Sequence, residues 1–593
     1  MKKFFQIFFA ILAGGLVSLF IAILILSSLF STPSAPTMPA EAVLHIDMSQ
    51  FELAEQTCED PIGSLSGGEE GGVKLGILDI DFALQAAAVD PHVKFVYLKP
   101  DATQAGFGHI EELRAALERF KESCDKPVVA WMETPGNAAY YLGSVADELY
   151  LSSATGGSPM VTGLSSQQFF LKDVLEYLGV NVQLIRHGKY KSAGEMFIRS
   201  DISEANRRQY EALLGSIWNS CVEQICKSRG METVRFNRLL NELKLNTAED
   251  FLKEGLVDAV LSKEELDGKL CIRFGCAKRS DIQAISLADY IKIRVQPSGR
   301  KEKIAVIFAD GEMVLHANPR ARTPEIEGTA FANMISEIRE DDSIKAVVLR
   351  VNSPGGAVLC ADKVKAEIDR LKAVKPVIAS YGNYAASGGY WISAGCQRIF
   401  TDNTTLTGSI GVFSIIPDLS KTVGKLHLGT ATIKTNAHSD MFSMMRPLDQ
   451  AELATMQADV EHIYDAFTTL VAEGRKLDKA YVDEIAQGRV WSGAESLGKG
   501  LTDEKGTLED ALRYAASVAN GDNGSDLSLW EVVSYPAVPT TLEQIMGLLG
   551  SQPGQEEILA GTPLENAFQS FRQLKDSDYG KAYARMSTEF VIR

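Results

Sequence analysis

The chain has 593 residues, which is too long for one hydrophobic core and predicts several domains. Its apolar fraction of 45% is ordinary for a globular protein. The net charge is −18 and no block of Lys and Arg stands out, which argues against nucleic acid as a partner. Eight cysteines are spread thinly, and no His or Cys pair completes a zinc set around Cys221/Cys226 or Cys271/Cys276. We therefore predict no metal or other cofactor, and leave disulfides open.

The N-terminus predicts a membrane anchor. Residues 1–3 are followed by an uncharged run over 4–30, and a membrane-spanning helix needs ~20 apolar residues. A cleavable signal peptide has a shorter apolar core of ~7–15 residues. We therefore expect an uncleaved signal anchor at 4–30 rather than a buried helix, and a Pro-, Ser- and Thr-rich linker at 31–41. The two lysines of 1–3 predict a cytoplasmic N-terminus, with the body on the extracytoplasmic side of the inner membrane.

Strands and helices alternate along the rest of the chain. In the first half, hydrophobic patterning predicts strands at 43–46, 93–98 and 127–131 and helices at 78–89 and 110–120. The second half predicts strands at 304–308, 344–351 and 376–380 and helices at 329–339 and 362–371. This alternation predicts an α/β fold with mostly parallel sheets. We place the two halves at 42–300 and 301–521 and a C-terminal extension at 522–593, with short helices at 540–549 and 563–574.

The halves align with each other. Three matching motif pairs are separated by the same 245 residues: 162–164 with 407–409, 195–197 with 440–442, and 255–258 with 500–503. A constant offset over this length indicates an internal duplication. The informative positions are therefore those at which the repeats differ.

Ser409 is the first such difference, because its counterpart is Leu164. It lies in the sequence Thr407-Gly408-Ser409-Ile410-Gly411, where a flexible backbone can present a hydroxyl to a substrate. A Ser in a glycine-rich turn is more often a plain turn residue. Gly355 and Gly356 lie in the loop after a predicted strand, and the matching loop of the first half has no glycine pair. Their amides could bind an oxyanion, although a plain turn remains the alternative.

Lys191 is the second difference, because its counterpart is Asn436. Most lysines are exposed, but burial would lower the pKa of this amine and let it accept a serine proton. Ser–Lys pairs are a recognised variant of the Ser–His arrangement. Lys189 is the nearest rival for this role. Thr430 and Thr432 are candidates for a third group that orients the lysine.

Several motifs together resemble the long-form signal peptide peptidases of peptidase family S49. They are the anchor, the duplicated body, Tyr190-Lys191-Ser192-Ala193, Asn352-Ser353-Pro354-Gly355-Gly356, Ala385-Ala386-Ser387-Gly388-Gly389-Tyr390 and Leu406-Thr407-Gly408-Ser409-Ile410-Gly411-Val412. The resemblance implies tandem ClpP/crotonase-like domains, Ser409 as nucleophile and Lys191 as general base. It also implies one of the Gly355 and Gly356 amides as an oxyanion donor. A homotetramer that degrades cleaved signal peptides at the membrane is implied in the same way.

Two other functions remain open at this point. A crotonase-like acyl-CoA enzyme would share the oxyanion chemistry, but it would leave Ser409 without a purpose. A non-catalytic membrane scaffold would be expected to have lost Ser409 or Lys191, and both are present. For Ala385 to Tyr390 we expect the start of a helix with a structural role, or a contribution to a substrate groove.

Overall fold

A computed structural model describes residues 36–59, 73–318, 321, 323–521, 525–538 and 582–586. The expected anchor at 4–30 and the expected tail helices at 540–549 and 563–574 lie outside these residues. Within the described part of the chain, no helix has both the length and the apolar character needed to cross a bilayer.

The first half forms ten strands, ten α-helices and one 3-10 helix (Arg279–Asp281) within the described residues. The strands are β1 (Ala42–Asp47), β2 (Phe51–Ala54), β3 (Cys58–Glu59), β4 (Val73–Gly76), β5 (Val93–Lys99), β6 (Val128–Met132), β7 (Glu148–Ser152), β8 (Asn181–His187), β9 (Ala259–Leu261) and β10 (Ala284–Ser286). The helices are α1 (Ile77–Val89), α2 (Phe107–Ser123), α3 (Asn137–Gly143), α4 (Lys172–Leu178), α5 (Glu195–Ile198), α6 (Glu204–Arg229), α7 (Thr233–Asn241), α8 (Ala248–Lys253), α9 (Lys263–Phe274) and α10 (Leu287–Arg294).

The second half and the tail add thirteen strands, eight α-helices and one 3-10 helix (Leu527–Leu529) to the described structure. The strands are β11 (Lys303–Asp310), β12 (Glu312–Val314), β13 (Glu325–Glu327), β14 (Ile344–Ser353), β15 (Gly355–Ala357), β16 (Val377–Ala386), β17 (Ile399–Thr401), β18 (Leu406–Gly408), β19 (Val412–Asp418), β20 (Val490–Ser492), β21 (Glu504–Lys505), β22 (Glu531–Tyr535) and β23 (Tyr583–Arg585). The helices are α11 (Gly328–Glu340), α12 (Val358–Lys372), α13 (Gly388–Ser393), α14 (Ser420–Lys425), α15 (Gln450–Arg475), α16 (Lys479–Ile485), α17 (Gly493–Gly498) and α18 (Leu508–Asn520).

The two halves have the same strand order, which confirms the α/β prediction and supports the duplication. The first sheet runs β10-β1-β5-β6-β7-β9, and the second contains the matching series β22-β11-β14-β16-β17-β21, with every pair in both series parallel. Equivalent contacts recur: Tyr140 donates its hydroxyl to the Leu256 carbonyl, and Tyr390 donates to that of Leu501. The expected core elements all form, and most extend beyond their predicted bounds. The boundaries at 42–300 and 301–521 stay predictions.

A third sheet joins the halves. Its order is β13-β12-β15-β23-β19-β8, so the strand β8 of the first half pairs antiparallel with β19 of the second. Seven residue pairs connect these two strands, from Val412 opposite His187 to Asp418 opposite Asn181. Because a ladder of this length fixes both strands in register, the segments that follow β8 and precede β19 lie at the same end of the sheet.

A buried charge cluster also spans the two halves. The Arg350 guanidinium on β14 lies 2.7 Å from a Glu55 oxygen and 2.6 Å from a Glu112 oxygen, and all three side chains are buried. His109 contacts the other Glu55 oxygen at 2.8 Å. Burial raises the pKa of Glu55, but the charges of Arg350 and His109 outweigh it and lower the pKa to about 2. The Glu55 carboxylate of the first half is therefore stabilised as an anion by a cation from the second.

We expect Arg350→Met to lower the free energy of unfolding by about 3–5 kcal/mol, because it removes the one cation that contacts both Glu55 and Glu112 in this buried cluster. The matched control is Arg208→Ala, which breaks an exposed ion pair with Glu204 and should cost about 0.5 kcal/mol or less. Chemical denaturation followed by circular dichroism measures both. Equal stability of the two variants would show that the buried cluster does not hold the halves together.

Candidate active site

Lys191 and Ser409, which are far apart in sequence, are in hydrogen-bond contact within one chain. Lys191 lies four residues beyond β8 and Ser409 three residues before β19. Val412, the first residue of β19, pairs with His187, the last residue of β8, in an antiparallel ladder. The segment after β8 and the segment before β19 therefore lie side by side. The Lys191 Nζ lies 3.0 Å from the Ser409 Oγ and 3.0 Å from the Ser409 carbonyl oxygen.

The lysine is enclosed by backbone on two sides. A Cβ at Gly488 would lie 2.6 Å from the Lys191 Cβ, and one at Gly411 would lie 3.2 Å from the Lys191 Cδ. Glycine at both positions therefore allows the chain to close around the side chain, which is 1% exposed. This burial lowers the pKa of Lys191 well below its usual value, because desolvation disfavours the ammonium.

The surroundings of the amine suit its neutral form. Besides the two Ser409 oxygens, the Nζ lies 2.8 Å from the Ser387 Oγ. A neutral amine has two N–H donors and one lone pair. It can donate to the Ser387 hydroxyl and to the Ser409 carbonyl while its lone pair accepts the Ser409 hydroxyl proton. The three neighbouring oxygen atoms therefore match the two N–H donors and the one lone pair of the unprotonated lysine.

Both serines that contact the amine have a strained backbone. Ser409 has φ +50° and Ser387 has φ +55°, in the region that L-residues with a side chain rarely adopt. Ser387 is held there by its amide, which donates to the Gly408 carbonyl, and Ser409 by its amide, which donates to the Arg489 carbonyl. Such strain of about 1–3 kcal/mol persists where the surrounding structure imposes it, and it is concentrated at functional sites.

Ser387 contacts the Lys191 amine at 2.8 Å, and the sequence did not predict this contact. For Ala385 to Tyr390 the sequence predicts the start of a helix with a structural role, or a contribution to a substrate groove. It offers Thr430 or Thr432 as the third group. The structure gives the contact with the lysine to Ser387, whereas both threonines are exposed. The repeat contained the signal: the position equivalent to Ser387 is Asn137, whose side chain contacts the amide and the carbonyl of Gly163 in the loop that matches Gly408.

The two glycines of the predicted oxyanion site differ in their hydrogen bonds. The Gly355 amide donates to the Ser353 Oγ at 3.2 Å. Gly356 is paired with Ala584 across β15 and β23. The bonds on either side of this pair, Val358 N to Ala582 O and Met586 N to Pro354 O, identify it as a hydrogen-bonded pair of the ladder. The Gly356 amide therefore faces a peptide carbonyl, and the Gly355 amide is directed to a side chain of its own loop.

Lys189, the rival of Lys191, is exposed and its amine lies 5.2 Å from the centre of the Tyr190 ring. One group of potential metal ligands, His438, Asp449 and Glu452, lies elsewhere. Both Glu452 oxygens there accept from the Arg446 guanidinium at 2.7 Å, and this pairing lowers the pKa of Glu452. A carboxylate already neutralised by arginine is a poor cation ligand, and we assign this group to the capping of α15.

These residues place a buried lysine amine against a serine hydroxyl in a duplicated α/β body, an arrangement that occurs in serine peptidases. The model of peptidase family S49 matches residues 120–270 and 369–521. The chain is 33% identical to "Protease 4" of Haemophilus influenzae over 522 residues, which cover 85% of this chain and 83% of that one. It is 31% identical to "Serine protease SPPA, chloroplastic" of Arabidopsis thaliana, over 78% of this chain and 68% of that one. This chain belongs to peptidase family S49 and is a serine peptidase.

Among solved structures, the chain resembles a ClpP1 mutant from Listeria monocytogenes with a TM-score of 0.23 and 13% identity, over 35% of this chain and 93% of that one. The α/β architecture with tandem family regions is established by the sheets and the family match. The finer assignment to the ClpP/crotonase type stays a prediction. Membership of a peptidase family sets aside the acyl-CoA enzyme and the non-catalytic scaffold.

We expect Ser387→Ala to lower kcat for peptide hydrolysis by about 10–100-fold with little change in KM, because the Lys191 amine loses the hydroxyl that orients it. Ser393→Ala is the matched control. Ser393, the last residue of α13, is buried like Ser387, but its hydroxyl bonds to that of Tyr381. Steady-state kinetics of both variants, with circular dichroism to establish folding, measure the effect. A Ser387→Ala enzyme with wild-type kcat, or with the loss confined to KM, would contradict a positioning role.

Proposed function

We propose that this chain is a membrane-anchored endopeptidase in which Ser409 is the nucleophile and Lys191 the general base. Its substrates are hydrophobic peptides, in particular cleaved signal peptides. The observation that carries the proposal is the 3.0 Å contact between the Lys191 Nζ and the Ser409 Oγ, made by an amine whose pKa is lowered by burial.

The chemistry follows from this contact. The neutral amine of Lys191 accepts the proton of the Ser409 hydroxyl as the Oγ attacks the peptide carbonyl carbon. The resulting ammonium then gives its proton to the leaving amine, and an acyl-enzyme ester remains on Ser409. Water attacks this ester with Lys191 again accepting the proton, which releases the acid and restores both residues.

The developing oxyanion needs donors that face the substrate carbonyl. Of the two predicted amides we favour Gly356, because its amide faces the carbonyl of the strand beside it, whereas that of Gly355 donates to Ser353. The Ser409 amide donates to the Arg489 carbonyl in this structure, so we assign no second donor. A homotetramer, implied by the family resemblance, stays a prediction.

We expect Ser409→Ala and Lys191→Ala each to reduce kcat for a small peptide ester by about 10³-fold or more, because each removes one partner of the proton transfer. Lys189→Ala is the control and should retain activity within about twofold, since its side chain is exposed. Undiminished turnover by either of the first two variants would reject the dyad.

The pH dependence of the wild-type enzyme tests the same assignment. Burial lowers the pKa of Lys191, so the reactive neutral amine predominates above that lowered pKa. We expect kcat/KM to fall as the pH drops through it, at a midpoint well below the ordinary lysine value of about 10.4. A rate that begins to rise only near that ordinary value would mean that the base is an exposed lysine.

The anchor is tested separately. We expect a chain that begins at Ala42 to remain in the soluble fraction after ultracentrifugation and to cleave the small ester at the wild-type rate, because residues 4–30 supply the membrane attachment. The intact chain should sediment with the membranes. Sedimentation of both forms would show that another part of the chain holds the enzyme to the bilayer.

A further inference from the structure

A short loop of the second half connects the segments that carry Lys191 and Ser409. It consists of residues 487–489, between α16 and β20, and we call it the clamp loop. Each of its three residues makes one backbone hydrogen bond to those segments. The bonds are Tyr190 N to Gln487 O at 2.9 Å, Gly488 N to Ile410 O at 2.8 Å and Ser409 N to Arg489 O at 2.7 Å.

The clamp loop is also in direct contact with the lysine segment. A Cβ at Gly188 would lie 2.5 Å from the carbonyl carbon of Gln487, and a Cβ at Gly488 would lie 2.6 Å from the amide nitrogen of Lys191. Glycine at both positions therefore permits this approach. The loop forms one of the walls around the Lys191 side chain, which is 1% exposed.

The first residue of the clamp loop has a strained backbone. Gln487 has φ +53°, a left-handed conformation that residues with a side chain rarely adopt. Such a conformation persists where surrounding groups impose it. If Gln487 relaxed to an ordinary conformation, its carbonyl would turn away from the Tyr190 amide and the loop would open beside Lys191.

The Tyr464 hydroxyl on α15 contacts Gln487 through both its backbone and its side chain. It accepts from the Gln487 amide nitrogen at 3.3 Å and from the Gln487 Nε2 at 3.2 Å, and it donates to an Asp483 oxygen at 2.6 Å. The Gln487 Nε2 also donates to that Asp483 oxygen, at 2.8 Å. The Tyr464 ring is stacked on that of His187, the last residue of β8, with 3.9 Å between the ring centres. The tyrosine thus connects the clamp loop with the strand that leads to Lys191.

The ionisable side chains around the clamp loop have partners of their own. They are Arg186 with Glu195, Asp483 with Tyr464 and Gln487, His187 against the Tyr464 ring, and Arg489 over the rings of Tyr190 and Trp491. Burial, rather than a neighbouring charge, is the cause of the lowered pKa of Lys191. The access of water to the amine therefore controls its protonation, and an opened loop raises its pKa.

We propose that Tyr464 is a positioning residue of the peptidase, because its hydroxyl keeps the clamp loop closed over Lys191 and water away from the amine. The inference rests on the proposed function and deepens it. Tyr464 acts through Gln487 and the loop rather than on the reacting atoms. When the loop opens, the amine is hydrated and held as an ammonium, which cannot accept the Ser409 proton.

The pH profile of Tyr464→Phe tests this role, because the variant loses the hydroxyl and keeps the ring beside His187. We expect the midpoint of kcat/KM for a small peptide ester to move up by about one unit, since a hydrated amine has a pKa closer to the ordinary lysine value. Below the wild-type midpoint kcat/KM should fall about tenfold, and at high pH the variant should regain the wild-type value. A loss of the same size at every pH, or an unmoved midpoint, would overturn the proposal.

Tyr481→Phe is the matched control for the loss of a hydroxyl. Tyr481 is on α16 and exposed, and its hydroxyl lies 3.5 Å from the Lys499 carbonyl oxygen. Its pH profile should match that of the wild-type enzyme. Circular dichroism establishes that both variants are folded.

The strain at Gln487 allows a rescue experiment in the Tyr464→Phe background. Gln487→Gly and Gln487→Ala both remove the side-chain amide, but only glycine adopts a positive φ without the penalty of a Cβ. We expect Gln487→Gly to bring the midpoint most of the way back to its wild-type position, whereas Gln487→Ala leaves it raised. Equal midpoints for the two double variants would mean that the hydroxyl does not act by holding Gln487, which contradicts the proposal.

Hydrogen–deuterium exchange separates this inference from the proposed function, because it needs no turnover. The Tyr190 amide, which is bonded to Gln487, should exchange about tenfold faster in Tyr464→Phe than in the wild-type chain, and at the wild-type rate in Tyr481→Phe. Unchanged exchange in Tyr464→Phe would show that the hydroxyl does not close the loop, even if Ser409 and Lys191 are the dyad. Faster exchange together with a fully active Lys191→Ala enzyme would instead leave the clamp in place and reject the dyad.

Discussion

The burial of one amine organises this molecule. Lys191 is enclosed by backbone at Gly411 and Gly488, and burial is the cause of its lowered pKa. A lysine that was exposed would be protonated at neutral pH and could not accept a proton from Ser409. The amine comes from the first half, and the three oxygen atoms of Ser387 and Ser409 that it contacts come from the second. The two halves must therefore pack closely for the Lys191 amine to be buried and to contact Ser409.

Two features hold the halves in that relation. The β8–β19 ladder sets the register of the segments that carry Lys191 and Ser409. The cluster of Arg350, Glu55 and Glu112 joins the same halves through buried charges that would each be costly alone. Asn352, two residues beyond Arg350, donates to Asp310, whose pKa burial raises to about 6. The strand that ends at the glycine loop is thus tied on one side to the first half and on the other to β11.

Duplication explains how one site came to need both halves. The repeats keep the same parallel strand order, so their backbones offer equivalent loops at equivalent places. In the first repeat Asn137 secures the loop at Gly163. In the second, Ser387 is at the matching place and faces the lysine instead. The third sheet then joins β8 of the first repeat to β19 of the second, with β23 between β15 and β19.

The sequence by itself determined the local elements and the duplication, because hydrophobic periodicity and a constant 245-residue offset are readable along the chain. The differences between the repeats also predicted Ser409 and Lys191 as a pair. The sequence did not reveal Ser387, whose role depends on a positive φ and on contact with a residue 196 positions away. Nor did it separate the Gly355 amide from that of Gly356, or place β23 between β15 and β19. These were decided by tertiary structure, because strand register, backbone strain and burial arise only when distant segments pack together, and no local pattern encodes them.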